Sequence, residues 1–186
     1  FCRLTEINIP DSVREIGCGI FNGCVGLANV KISSSIRKIP MGAFKGTGIE
    51  EIYIPASVEK IEGEAFIDCY NLKCIHVDEN NPIYDSRNNC NAIIDTAHNA
   101  LVVGCASTVI PDTVSEIWKC GIINIRNVFI PESVTYISEL VPYVCKNVES
   151  ICVDENNPVY DSRGKCNAII ETLSNKLVLA SNLTEI

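Results

Sequence analysis

The sequence is poor in the residues that most site chemistry uses. Two histidines, one tryptophan and one methionine occur among 186 residues, and aromatic side chains make up only 6%. With His76 and His98 as the only imidazoles, little is left for histidine-based catalysis or metal binding. Basic residues are scarce too: 15 Lys and Arg stand against 23 Asp and Glu, a formal charge of -8. Binding to a phosphate backbone depends on clustered Lys and Arg, so nucleic acid is not an expected partner. No apolar run approaches the roughly 18 residues of a membrane-spanning helix, so no membrane insertion is expected. The first residues lack the charged-then-apolar order of an export signal. The pattern described next begins and stops in mid-repeat, which leads us to expect a piece of a longer array whose targeting segment lies elsewhere.

What the chain does have is apolar material, 47% of it, and eleven cysteines. The apolar residues repeat. Leu4 to Phe21 reads L-x-x-I-x-I-P-x-S-V-x-x-I-x-x-x-x-F, with Leu4, Ile7, Ile9, Val13, Ile16 and Phe21 set to point inward. Val30, Ile32, Ile36, Ile39 and Phe44 fill the same slots after Leu27, and Ile52, Ile54, Val58, Ile61 and Phe66 do so after Ile49. The starts at Leu4, Leu27, Ile49 and Leu72 are 23, 22 and 23 residues apart, within the range of leucine-rich repeats. Each coil opens with strand-like alternation, as in Ile52-Tyr53-Ile54, and Pro10, Pro55, Pro111 or Pro131 ends the strand because it has no amide to offer a neighbour. A lone coil buries too little to offset its ordering entropy, so stacking is compulsory.

The register changes after Val77. Asp78-Glu79-Asn80-Asn81-Pro82 is a turn signal, and Asn91 to Asp95 with Leu101 to Gly104 reads as a β-hairpin across a polar turn. The block returns 76 residues later, from Asp154-Glu155-Asn156-Asn157-Pro158 to Leu177-Val178. The expected fold is a leucine-rich repeat solenoid: a β-rich, right-handed stack of coils of about 20–23 residues, a parallel sheet on one face, and two inserted β-hairpin rungs. We expect a single domain over 1–186, with short repeats at 1–76, a hairpin repeat at 77–117, short repeats at 118–152 and a second, truncated hairpin repeat at 153–186. The repeat between Cys120 and Tyr143 is the least regular, with Trp118 and Ile122-Ile123 in place of small and aromatic residues.

These residues carry a family resemblance. The L-x-x-I-x-I-P-x-S-V-x-x-I coil, the Ala65-Phe66 to Cys69 turn and the D-E-N-N-P-x-Y-D-S-R hairpin block together resemble the BspA-like leucine-rich repeats of bacterial surface proteins. The likeness spans essentially the whole chain, and the hairpin block is its specific part. It implies an exported, non-catalytic, multi-repeat protein located outside the cell or on the bacterial cell surface and engaged in adhesion; it names no ligand. The chain departs from the pattern at Thr47, where neighbouring repeats have Cys24 and Cys69, and at Ser33-Ser34, where Pro and Asp are expected.

Cys24, Cys69 and Cys145 each precede the next repeat by three residues, so they recur rather than converge, as small buried apolar residues do. Cys24 and Cys69 lie two rungs apart, about 10 Å at strand spacing, too far for a disulfide, and are expected to be reduced. Cys90 and Cys166 are equivalents within the hairpin blocks and are expected to behave likewise, and no paired C-x-x-C set suggests zinc. The odd count leaves at least one thiol free or intermolecular. Cys74 and His76 share a strand face, but no oxyanion motif accompanies them, so neither a catalytic residue nor a cofactor or metal site is expected. The acidic turns lack EF-hand spacing, and turn chemistry accounts for their Asp and Asn. Asn182-Leu183-Thr184 fits a glycosylation acceptor pattern too short to carry weight.

The outward strip of the parallel sheet remains. Asn8, Lys31, Tyr53, His76, Phe129 and Cys152 project one per rung, with Glu51 and Cys74 among the flanking residues. Exposed aromatics at regular spacing suit a recognition surface for a protein or glycan; they also suit plain cross-strand stacking. Two main readings follow, a binding or adhesion module and a structural spacer with no ligand, with a cysteine-based enzyme or metal site as a remote third. Unpaired end coils lead us to expect end-to-end self-association.

Overall fold

The structure is a computed structural model, and it describes residues 2–122, 124–141 and 148–181. The coils stack as the spacing predicts. Four strands, β1 (Glu6–Asn8), β2 (Asn29–Lys31), β4 (Glu51–Ile54) and β6 (Cys74–Val77), form a parallel sheet in that order. Its register pairs Ile7 with Val30 and Ile52 with Ile75, so like residues of successive coils lie over one another. Further along, β11 (Asn127–Ile130) and β13 (Ser150–Val153) pair in the same way.

The P-x-S-V step after each strand is a turn with a mechanism. The amides of Val13, Val58, Val114 and Val134 donate to the carbonyls of Pro10, Pro55, Pro111 and Pro131 at 2.9–3.2 Å. The serine then ties its coil to the one before, Ser57 Oγ donating to Ile36 O (2.8 Å) and Ser133 Oγ to Val114 O (2.7 Å). Where Ser33 replaces proline, its own hydroxyl reaches Val13 O (2.9 Å), and Ser34 binds the Asp11 carboxylate through both N and Oγ. The departure from the repeat pattern is thus compensated locally.

Beyond that turn, two-residue strands build a second parallel surface: β3 (Lys38–Ile39) pairs with β5 (Lys60–Ile61), and β10 (Glu116–Ile117) with β12 (Tyr136–Ile137). The return legs stack as well. Phe21, Phe44 and Phe66 lie face to face with ring centroids 5.5 and 5.4 Å apart, in a buried column at offset-stacking distance.

Each hairpin block joins this second surface. In the first, β8 (Ala92–Asp95) runs antiparallel to both β7 (Tyr84–Asp85) and β9 (Ala100–Gly104), and β9 passes the ladder on to β10. In the second, β14 (Tyr160–Asp161), β15 (Ala168–Glu171) and β16 (Lys176–Ala180) pair antiparallel in the same order, as a three-stranded sheet of their own among the described residues. The D-E-N-N-P-x-Y motif makes the junction. Asn81 Nδ2 donates to Pro55 O and Val58 O on the preceding coil, both at 2.9 Å, while its Oδ1 accepts the amides of Ile83 (2.9 Å) and Tyr84 (2.8 Å). Tyr84 Oη accepts the Ile61 amide at 3.0 Å, where a further short strand would otherwise supply a carbonyl. Asn157 and Tyr160 repeat every one of these contacts.

The core falls into two large clusters, one over the N-terminal coils and one over the C-terminal coils, with Ile67 and Cys120 as a small third. The first hairpin faces both. Ile93 and Val103 belong to the first cluster, and Ala92, Ile94 and Leu101 to the second. Its end lies so close to the next coil that a Cβ on Gly104 would sit 2.5 Å from Gly121 O, which is why glycine stands there.

One expectation is overturned. Cys24 is not reduced: it is joined to Cys2, with the Cα atoms 5.1 Å apart. The two residues are separated by 22 positions, one coil, and one rung of stacking is the distance a disulfide spans. Cys69 lies two coils from Cys24, whereas Cys2 lies on the adjacent coil. Cys69, Cys90, Cys105 and Cys120 are buried thiols, whereas Cys166 is only half-buried. Thr47 completes the Cys24–Cys69 column, its hydroxyl donating to Phe44 O (2.8 Å) and lying 3.4 Å from Cys69 Sγ. Cys145, Tyr143, Ile123 and the Asn182 acceptor pattern lie outside the described residues.

Candidate functional site

The outward positions arise from strand alternation: in β4 and β13 each exposed residue is followed by a buried one. Asn8, Lys31, Tyr53 and His76 are exposed in the four-stranded sheet, with Asn8 in register with Lys31 and Tyr53 with His76. Glu51 and Cys74 form the neighbouring register pair, Glu51 exposed and Cys74 half-buried. Phe129 and Cys152 pair with each other on the other parallel sheet, both exposed. The residues therefore do not form one ribbon. Two separate sheets carry them, with the first hairpin block between in sequence.

Each sheet carries a shallow trough. The first, about 540 Å³, is lined by Glu6, Asn8, Asn29, Lys31, Glu51 and Tyr53, with Ile7 and Val30 as its floor. The second, about 950 Å³, combines Phe129 and the β13 residues, Cys152 among them, with the Asp154–Asn156 turn and with Ser162, Lys165 and Asn167 of the hairpin block. Those hairpin residues are absent from the strip read off the sequence. Their signal was available, since the second hairpin block follows directly on β13.

The aromatic positions are braced as well as exposed. Tyr53, 50% exposed, donates its hydroxyl to Asp78 Oδ2 at 2.5 Å. That bond raises the Tyr53 pKa and holds the Asp78 carboxyl below its ordinary range. His76 Nε2 lies 3.2 Å from Glu51 Oε1. Phe129, 49% exposed, has no polar atom to fix and offers a bare ring.

The buried thiols are poorly suited to nucleophilic work. Burial pushes Cys69 up to about 11 and raises Cys90, Cys105 and Cys120 as well, so each stays protonated near neutrality. The acidic turns are self-satisfied, with Asp78 Oδ1 accepting Asn80 N and Asp154 Oδ1 accepting Asn156 N, both at 2.9 Å. Among the described residues no three His, Cys, Asp or Glu side chains gather where a metal ion would sit, and no helix is long and apolar enough to cross a membrane.

No protein of curated function matches the sequence. Among the solved structures that match are two leucine-rich repeat proteins. A leucine rich cell surface protein from Faecalibacterium prausnitzii A2-165 is 25% identical with a TM-score of 0.67, the match covering 82% of this chain and 42% of that one. A leucine-rich repeat protein from Eubacterium ventriosum ATCC 27560 is 19% identical with a TM-score of 0.52, covering 80% of this chain and 54% of the other. The chain thus spans about half or less of the proteins it resembles. The model of the BspA type leucine rich repeat region matches residues 1–98 and 103–186 in six copies. The coil spacing, the hairpin junctions and this match agree, and the chain belongs to the BspA type leucine rich repeat family.

Proposed function

We propose that the chain is a non-catalytic recognition segment of a repeat protein displayed outside the cell, and that it takes a protein or glycan ligand on its parallel-sheet faces. The observation that carries this reading is the coincidence of troughs and strip: Asn8, Lys31, Glu51 and Tyr53 line one hollow, and Phe129 and Cys152 the other. Exposed aromatic rings beside polar side chains are the usual anchors of a binding surface. The surface location draws on the family and on the cell surface protein from Faecalibacterium.

The test is a glycan array and a displayed peptide library probed with the wild-type chain and with Tyr53→Ala and Phe129→Ala. A ligand retained by the wild type and lost by either variant supports the reading. No ligand, or ligands indifferent to both substitutions, overturns it. One observation favours the spacer reading instead: Tyr53 and His76 already direct their polar atoms to Asp78 and Glu51. On that reading, both variants lose stability and no binding.

A further inference from the structure

We infer that a second, separate site lies beside the P-x-S-V turns of the N-terminal coils: a hollow lined by Arg14, Arg37, Ser34, Ser35 and Ser57 that takes an oxyanion, a sulfate or carboxylate group carried on an acidic oligosaccharide. The hollow measures about 450 Å³, and no apolar side chain lines it. It does not share a residue with either trough of the parallel sheets.

Arg14 and Arg37 occupy one slot of the repeat, the position after the Val or Ile of the turn, in successive coils. The same slot holds Glu59, Ser115 and Thr135 in later coils, so paired cations there are peculiar to this hollow. Stacked like charges oppose each other across neighbouring rungs. Arg37 is relieved by an ion pair with Glu59 on the next coil. Arg14 has no ion pair or hydrogen bond among the described residues.

The surrounding groups favour an anion. Asp11 is occupied by Ser34 and Glu59 by Arg37, and neither carboxylate lines the hollow. Ser57 spends its proton on Ile36 O, whereas the Ser35 hydroxyl has no partner among the described residues and adds a donor beside the guanidinium groups. A guanidinium fork matches the paired oxygens of a carboxylate or sulfate and binds them through charge-assisted hydrogen bonds. One such group fills only part of the hollow, which leaves room for the sugar that bears it.

The experiment is isothermal titration of the folded chain with three probes: a sulfated dextran oligosaccharide, an oligogalacturonate, which carries carboxylates only, and neutral dextran. At low ionic strength an acidic probe binds and neutral dextran does not, and added salt weakens the binding. Arg14→Ala weakens it by roughly tenfold or more, Arg14→Lys keeps part of it, and Tyr53→Ala leaves it unchanged, so the two sites succeed or fail separately. Which acidic probe binds more tightly identifies sulfate or carboxylate as the preferred group. Binding of neither acidic probe overturns the inference, as does equal binding by the wild type and Arg14→Ala.

Discussion

Asn81 is the side chain on which the change from short coil to hairpin turns, and replacing it with alanine is the most direct test of the fold described above. The substitution removes four hydrogen bonds at once: two donated to Pro55 O and Val58 O, and two accepted from the amides of Ile83 and Tyr84. Asn81 is a buried polar residue, so water does not replace these partners freely. At about 1 kcal/mol net per bond the loss is about 4 kcal/mol, a large share of the roughly 5–15 kcal/mol that holds a domain together. Asn81→Asp keeps both acceptor contacts but sets a carboxylate against two carbonyls, and it is expected to be no better. The assay is urea unfolding followed by the fluorescence of Trp118, the sole tryptophan, whose ring lies 5.5 Å from that of His98. Asn80→Ala is the control, because Asn80 is exposed and among the described residues its side chain bonds only Asp78; it is expected to cost under about 0.5 kcal/mol. If the two variants unfold within about 1 kcal/mol of each other, the junction is held by the apolar core and the reasoning fails.

Four further outcomes are expected. Phe44→Ala breaks the aromatic column in its middle and costs about 3–5 kcal/mol, measured by the same titration. Reducing the Cys2–Cys24 bond, or substituting Cys2→Ala, releases a loop of one coil and costs about 3 kcal/mol; thermal melts with and without reductant that coincide would contradict this. On the alkaline side, burial lifts Cys69 from 9.0 to about 11 and raises Tyr84 and Tyr160 in the same direction, so the fold favours their neutral forms. The stability they contribute is complete below pH 9 and falls as pH rises toward 11, and Cys69→Ala flattens that slope. On the acid side, the Arg163 side chain holds Asp161 at about 2 against an ordinary 3.8, so its contribution is present above pH 4 and fades as pH falls toward 2; Asp161→Asn abolishes that part of the acid transition.

The long-range order is legible because every coil buries the same side. Leu27, Ile49 and Leu72 are fully buried for the reason that makes their spacing regular. Ile93 and Ile94 are legible as hairpin because two apolar runs flank a polar turn, and both are fully buried. The two-residue strands such as β3 and β12 are not legible, since a pair of residues carries no alternation. Nor is the work of Asn81: turn propensity accounts for an asparagine there, but its partners, Pro55 and Val58, lie 26 and 23 residues earlier. The outward residues of the strip are legible one strand at a time. Their division between two sheets is not, because it depends on where the inserted hairpin lies in three dimensions.

That hairpin is a wall shared by two rooms. Removing the coils on one side bares one face of β8 and β9 and leaves the other furnished, so disorder that begins at either end meets its steepest resistance in the middle. The amides of these two strands should be the last to exchange with solvent. A coil near one terminus can then loosen around a partner while the surface beyond the wall keeps its shape.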